Sequence, residues 1–375
     1  MMFPLKKAVV SVINDLVTDQ RVHKTCMTLH NMGFDVHLVG RTMHSSLPLE
    51  SRAYTTSRMN LFFEKGIFFY LFFQLRLFFY LLKNKADIYV SNDLDTLWPN
   101  YLISKWRKKI LVYDAHEIFT EVPELVGRKF KQGLWKHLER KIFPRLKFVF
   151  TVNDSIASWY EKEYGIRPHV VRNIPLLKKK NVFELNREKV QLPVDKKIIL
   201  LQGAGINVDR GAEEAVASMA FIDNAILLII GGGDVILQLK QMVNEGNLST
   251  KIIFIDKLPP DELAAWTKLA DIGLTLDKDT NINYRLSLPN KIFDYIHAGI
   301  PVLTSNLIEV KKIVEGYNVG KVTEDHNPET IAKNIRDMLL SPEFLTWKGN
   351  TAKAAAELNW EKEELVIKKV YSQFL

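Results

Sequence analysis

The stretch with the most chemical content is SLPNKIFDYIHAGIPVL, residues 287–303. Pro289 followed by Asn290 reads as a stop and an N-cap, so a helix is expected to begin at Asn290 with free N–H groups open to an anion. Lys291 in its first turn opposes the helix dipole, a cost that makes sense where the lysine holds a phosphate. Asp294, one turn later on the same face, can accept hydrogen bonds from ribose hydroxyls. The bland alternative is a plain helix whose lysine faces water. A second stretch, QGAGINVDRG at 202–211, follows a strand-like run. Gly203 and Gly205 let the backbone pass close to a ligand, and Arg210 can clamp a diphosphate from the side opposite Lys291. Its alternative is a strand-to-helix turn with a solvated arginine.

His116 lies in YDAHE, residues 113–117, at the end of a strand-like run, where site residues of open sheets belong. It can bond a sugar hydroxyl or share in proton handling, with Asp114 and Glu117 orienting the loop; a buried structural histidine is the alternative. The first strand-to-helix turn carries Asn14, Asp15 and Asp19 and has no glycine. A nicotinamide-binding fingerprint would need glycines there, and Gly231-Gly232-Gly233-Asp234 has Ile236 in place of the third, so hydride transfer is poorly supported. Asp93 and Asp95 resemble a metal-binding carboxylate pair, but Asp95 serves equally as an N-cap and no metal is expected. His23, His30 and His37 stand seven apart, which is not a ligand spacing.

The elements that must position these residues alternate between short β-branched runs and longer amphipathic stretches, the signature of βα units and parallel sheets. In the first half, strands are expected at 7–13, 35–39, 87–90, 110–114, 148–151 and 169–171. Helices are expected at 18–31, 62–83, 95–105, 134–143 and 155–163. NIPLLKKK at 173–180 reads as a linker. The alternation then restarts, giving two doubly wound domains with a cleft at the carboxyl ends of their strands, and everything after Ser341 is helical in pattern. The expected domains are 1–175, 181–355 and a terminal helix at 356–375.

Composition sets limits on function. Of the 375 residues, 51 are Lys or Arg and 43 Asp or Glu, a formal charge of +8. Residues 1–180 hold 29 of the basic and 16 of the acidic residues, with 15 of the 21 phenylalanines, eight of them in 60–84. Cys26 is the only cysteine, which excludes intramolecular disulfides and Cys-rich zinc sites. The opening MMFPLKKAVVSVIND lacks a small-residue cleavage site and alternates like a strand, so no signal peptide is expected. Ile67–Leu82 is interrupted by Gln74 and Arg76 and is short for a membrane span. The denser segment Phe62–Leu82 is too apolar for one narrow stripe, which makes it either core or membrane-facing. The basic run Lys105–Lys109 lacks the stacking aromatics of a nucleic-acid surface and reads first as a solvated helix end, which adds to a positive surface useful near anionic lipid. A cytoplasmic protein is expected, free or peripheral on the inner face of the membrane.

Taken together, YDAHE, DRG at 209–211, LPNKIFDYIHAGIPVL and the closing LNWEKEELVIKKVYSQFL resemble the family-4 retaining glycosyltransferases of the GT-B fold. The resemblance covers nearly the whole chain, and LPNKIFDY…AGIPV is its most specific piece. It implies an α/β architecture of two Rossmann-like domains, the first binding acceptor and the second a nucleotide-sugar, with the last helix crossing back to the first. It implies that Arg210 and Lys291 hold the diphosphate, Asp294 the ribose, and that His116 lies beside the donor sugar. The 14–19 loop would lie near the phosphates or the acceptor. The family often carries two glutamates with seven residues between them; Asp294 stands for the second, and Leu286 departs from the pattern at the first, where the contact to the transferred sugar is expected. The implied activity is retaining transfer from a UDP- or GDP-sugar to a glycan or lipid-linked acceptor in cell-envelope polysaccharide biosynthesis. No cofactor, metal or nucleic-acid partner is implied. A nucleotide-sugar epimerase of the same fold, and a non-catalytic peripheral membrane protein binding nucleotide-sugar or lipid, are the alternatives.

Overall fold

The computed structural model describes residues 5–17, 19–44, 46, 48–64, 66–177 and 184–375. The helix start expected at Thr18, Lys65 of the Phe-rich segment, the linker residues 178–180 and the domain start at 181 lie outside these residues. Residues up to Asn173, together with Glu363–Leu375, form one compact unit, and Ile174–Lys362 form a second.

The first unit is built on a seven-stranded, all-parallel sheet in the order β3-β2-β1-β4-β5-β6-β7. Its strands are β1 (Lys7–Asp15), β2 (Asp35–Thr42), β3 (Thr55–Asn60), β4 (Ile88–Asn92), β5 (Ile110–Ala115), β6 (Phe148–Thr151) and β7 (His169–Val170). β1 is central because Ala8–Val12 is buried on both faces, as a strand covered by helices on either side must be. The helices used below are α1 (Gln20–Asn31), α2 (Gly66–Lys83), α3 (Leu94–Arg107), α4 (Lys129–Ile142) and α5 (Asp154–Tyr164).

Three expectations change here. The edge strand β3, TTSRMN, had no signal, because it is polar and buries only Met59. Asp95 is not the cap of α3; Asp93 holds that position, with φ 58°, and Asp95 sits in the first turn. In α2, Phe69, Phe73, Leu77 and Leu81 form a single buried stripe at a spacing of four, while most of the remaining apolar side chains are exposed. The helix is therefore neither wholly core nor free of it. It is long and apolar enough to cross a membrane by length and composition, but its buried stripe packs against Val9, Val39 and Tyr89 of the sheet.

The second unit has a six-stranded parallel sheet in the order β10-β9-β8-β11-β12-β13. Its strands are β8 (Lys197–Gly203), β9 (Ala225–Gly231), β10 (Ile252–Ile255), β11 (Ile272–Thr275), β12 (Val302–Thr304) and β13 (Gly320–Val322). α6 (Ala212–Ser218) follows β8, and the helix Lys291–Ala298 precedes β12. Within each unit the chain order puts the carboxyl ends of adjacent central strands side by side: β1, β4 and β5 in the first, β8 and β11 in the second. The candidate residues gather at those ends.

Candidate functional site

In the second unit, the loop from β8 to α6 carries Arg210. Gly211, just before α6, has φ 72°, and a Cβ there would overlap the Leu276 carbonyl, so only glycine lets this loop close against the end of β11. Arg210 Nη1 lies 2.9 Å from Asp277 Oδ1, and its guanidinium carbon stands 4.5 Å from the Tyr284 ring centroid. Lys291 Nζ lies 3.5 Å from the other oxygen of the same carboxylate. Asp277 is 0 % exposed. The two cations thus converge on one buried anion, each on a different oxygen of the Asp277 carboxylate.

Asp277 is the residue that sequence reasoning missed. Its signal is faint, a carboxylate two positions past the strand Ile272–Thr275 within the mixed run DKD. Two cations against one carboxylate leave a local positive excess. Burial lowers the Lys291 pKa and Arg210 lowers it further, against the pull of Asp277. Burial works the same way on Arg210, but Asp277 and Tyr284 together outweigh it and leave that group raised. Such a site favours an incoming anion.

The helix that carries Lys291 is anchored by Tyr295. Its hydroxyl lies 3.1 Å from the Leu274 carbonyl and 3.3 Å from that of Leu200, and it accepts from the Gln202 amide at 3.3 Å. The Tyr295 ring lies over Gly273, where a Cβ would overlap it, so the helix approaches β11 closely. Asp294 then reaches the end of β8, accepting from Gln202 Nε2 at 3.2 Å, while Gln202 Oε1 accepts from Thr267 Oγ1 at 2.7 Å. Asn290 holds the expected N-cap position, but it is exposed, has helical dihedrals and makes no side-chain capping bond among the described residues. Its carbonyl instead accepts from the Phe293 and Asp294 amides.

At Gly203 and Gly205 an added Cβ would make only ordinary contact, with Ile206 at 3.6 Å and Asn207 at 3.5 Å. The protein's own packing does not demand glycine there. It does at Gly231 and Gly233, where a Cβ would overlap the carbonyls of Gly203 and Ile206. The run GGGD is thus a backbone-to-backbone packing device, tied by Ile206 N to Gly232 O at 2.8 Å.

In the first unit His116 sits between two carboxylates. Asp93 Oδ1 accepts from the His116 amide at 2.8 Å, Asp93 Oδ2 lies 3.3 Å from Nδ1, and Asp114 Oδ2 lies 3.5 Å from Nε2. Asp114 is also held by Arg21, with Nη2 at 2.9 and 3.1 Å and Nε at 3.2 Å. Burial opposes charge on the imidazole, but Asp93 and Asp114 outweigh it and raise the pKa to about 9. Burial would raise Asp114, yet Arg21 and His116 hold it down at about 2. His116 is consequently an imidazolium at neutral pH. It can donate a hydrogen bond or stabilise negative charge, and it has no free lone pair with which to act as a general base.

Asp95 is buried, which holds its carboxyl well above the usual range, and its Oδ1 has no hydrogen-bond partner among the described residues. No group of three or more His, Cys, Asp or Glu placed to hold a metal ion occurs among the described residues.

The 14–19 loop is organised by its own side chains. Asn14 Nδ2 donates to Asp19 Oδ2 at 3.1 Å, and Asp19 Oδ1 caps α1 through the Val22 amide at 3.0 Å. Asp15 is buried, accepts from the Val17 amide at 3.2 Å and lies 3.7 Å from Arg58 Nη1. The glycine that this loop lacks is supplied from β2: a Cβ at Gly40 would overlap the Leu16 side chain and crowd the Asn14 carbonyl at 2.9 Å.

Residues 19–176 match the family model Glycosyltransferase Family 4, and residues 182–355 match Glycosyl transferases group 1. A stretch of 148 residues is 21 % identical to a GDP-mannose-dependent alpha-(1-6)-phosphatidylinositol monomannoside mannosyltransferase of Mycobacterium tuberculosis, and covers 39 % of this chain and 38 % of that protein. The fold is shared with sucrose-phosphate synthase from Thermosynechococcus elongatus, at TM-score 0.81 and 17 % identity over 98 % of this chain and 99 % of that one. It is also shared with Anabaena HepE in complex with UDP and glucose, at TM-score 0.75 and 13 % identity over 98 % and 99 % of the two chains. With two parallel α/β sheets and a family match on each half, the chain belongs to the family-4, group 1 glycosyltransferases and has their two-domain GT-B fold.

Proposed function

We propose that the enzyme transfers a sugar from a UDP- or GDP-sugar to a glycan or lipid-linked acceptor in cell-envelope polysaccharide synthesis, on the cytoplasmic side of the membrane and with retention of anomeric configuration. The observation that carries this reading is the convergence of Arg210 and Lys291 on Asp277. A leaving diphosphate gains negative charge as the glycosidic bond breaks, and two preorganised cations beside it lower that barrier without a metal. Asp277 balances them while the site holds no nucleotide. Asp294, fixed by Gln202, suits the ribose hydroxyls. In the first unit the His116 imidazolium donates to a sugar hydroxyl, and that unit carries the acceptor.

Leu286, half-buried, offers no carboxylate where the family often has one, so a covalent double displacement has no nucleophile at that position. Front-face attack, in which the departing phosphate takes the proton of the incoming hydroxyl, needs none.

Arg210→Ala and Lys291→Ala should each weaken nucleoside-diphosphate binding by about 1.5–3 kcal/mol, as loss of a charge-assisted bond does. Calorimetric titration with UDP and GDP measures this, and unchanged affinity in either variant would overturn the site. Sugar transfer should persist in excess chelator; loss restored by manganese would overturn the metal-free mechanism. Release of an epimerised nucleotide-sugar without acceptor would favour the epimerase.

A further inference from the structure

Beyond its buried stripe, α2 turns Phe68, Leu71, Phe72, Leu75 and Phe79 to solvent. The two helices that meet α2 through aromatic side chains expose apolar residues of their own. α3 packs its Trp98 ring 6.0 Å from Phe78 and exposes Trp106 at 68 %. α4 places Trp135 5.5 Å from Tyr70 and exposes Phe130 at 79 %. Five exposed apolar side chains on α2, with Trp106 and Phe130 exposed on the two helices it meets, are more than scattered exposed hydrophobes explain.

The charge on these helices identifies the occupant. α2 contains no acidic residue, and the acids of α3 and α4, Asp95 and Glu139, are both buried. Arg76 and Lys83 on α2, Lys105 on α3, and Lys129 and Lys131 on α4 are exposed. We propose that this face docks on an anionic lipid bilayer, with α2 lying in the plane of the interface, its phenylalanines at the acyl boundary and the cations among the headgroups. α2 does not cross the bilayer, because Phe69, Phe73, Leu77 and Leu81 are committed to the sheet. A second copy of the chain fits poorly. A two-fold interface would set the same cations against each other with no exposed carboxylate on the three helices to pair with them. The proposal deepens the lipid-linked acceptor reading by giving that acceptor's membrane a place on the first unit.

The test is flotation of the full chain with vesicles of phosphatidylcholine alone, or of equal parts phosphatidylcholine and phosphatidylglycerol. The wild type should float with the anionic vesicles at low salt, less at high salt, and weakly with the neutral ones. The triple variant Phe68→Ser, Phe72→Ser, Phe79→Ser should lose about tenfold or more of that binding. The double variant Arg76→Glu, Lys105→Glu, at exposed positions without a carboxylate partner among the described residues, should lose the salt-sensitive part and keeps the test open if the triple variant does not fold. Wild-type protein that stays unbound with anionic vesicles at low salt overturns the proposal. So does a folded triple variant that floats normally, or a vesicle-free dimer that the triple variant dissolves, which would assign the face to a second copy. Thermal stabilisation by UDP or GDP, measured without vesicles on the same proteins, reports the donor reading separately.

Discussion

At the scale of single residues, the second unit's site is governed by Asp277. A buried carboxylate between two cations costs desolvation, and removing it leaves Arg210 and Lys291 repelling each other in a poorly solvated place. Asp277→Asn should therefore destabilise the protein by about 3 kcal/mol. UDP or GDP should raise its melting temperature by more than the wild type's, because the phosphates replace the missing anion. Thermal melts with and without nucleotide measure both effects, and equal shifts would count against the shared-carboxylate account. His116 is the first unit's counterpart. Its pKa is raised from 6.5 to about 9 in the folded protein, so the fold holds a proton that the unfolded chain releases earlier. That stabilisation is complete below pH 6.5 and is lost as pH rises through 9, and it amounts to about 3 kcal/mol. His116→Gln should flatten the stability profile across that window, and a carbon-detected titration of the wild-type imidazole should show a midpoint near 9. A midpoint below 7 would restore His116 as a candidate base.

At the scale of elements, glycines report how closely loops and strands approach, and they give opposite predictions at two sites. Gly40→Ala should cost about 3 kcal/mol in urea unfolding, since its Cβ would drive into Leu16 and press on the loop holding Asn14, Asp15 and Asp19. Gly133 lies inside α4 with no atom of the described residues within 4 Å of an added Cβ, so Gly133→Ala should stabilise by about 0.5–1 kcal/mol. The same distinction explains what could be read in advance. The strand Phe148–Thr151 was legible because both its faces are covered, leaving a continuous apolar run. β3 was not, because an edge strand with one buried side chain has no such run. Lys291, Asp294, Arg210 and His116 were legible as residue types at strand and helix ends. Their counterions were not, because Asp277 is 67 residues from Arg210 and Asp93 is 23 from His116, and only the strand order brings each pair together. The match of Tyr295 to Gly273 was hidden for the same reason. The Phe-rich segment defeated periodicity by excess: one stripe serves the core, and apolar residues outside it blur the period.

At the scale of the whole molecule, the chain's charge and its connectivity point to the same unit. The basic, Phe-rich half builds the first unit, and the surplus of +8 lies with that half rather than with the Arg210–Asp277–Lys291 group, which carries a local excess of its own. That unit is completed by residues 363–375. Glu363 accepts from the Arg172 amide at 2.6 Å and from its guanidinium at 2.6 and 2.9 Å, and Thr28 donates to Glu364 at 3.0 Å. Tyr371 lies edge-on to Phe34 and stacked with Phe150, at centroid distances of 6.0 and 6.2 Å, and Phe374 meets Phe148 at 4.7 Å. Ending the chain at Lys362 would strip these aromatics from β6 and the Phe34 turn and leave Arg172 without its carboxylate. Losing two buried aromatic side chains alone costs several kcal/mol, on the order of half the stability of an ordinary domain. The truncated chain should therefore show fast hydrogen exchange at the amides of β5, β6 and β7, while those of β8, β9 and β11, which share no residue with the deleted segment's unit, stay protected. Equal loss of protection in both sheets would mean that the two units unfold as one. Glu363→Gln should reproduce a weaker form of the same pattern, because it keeps the packing and removes only the charge held against Arg172.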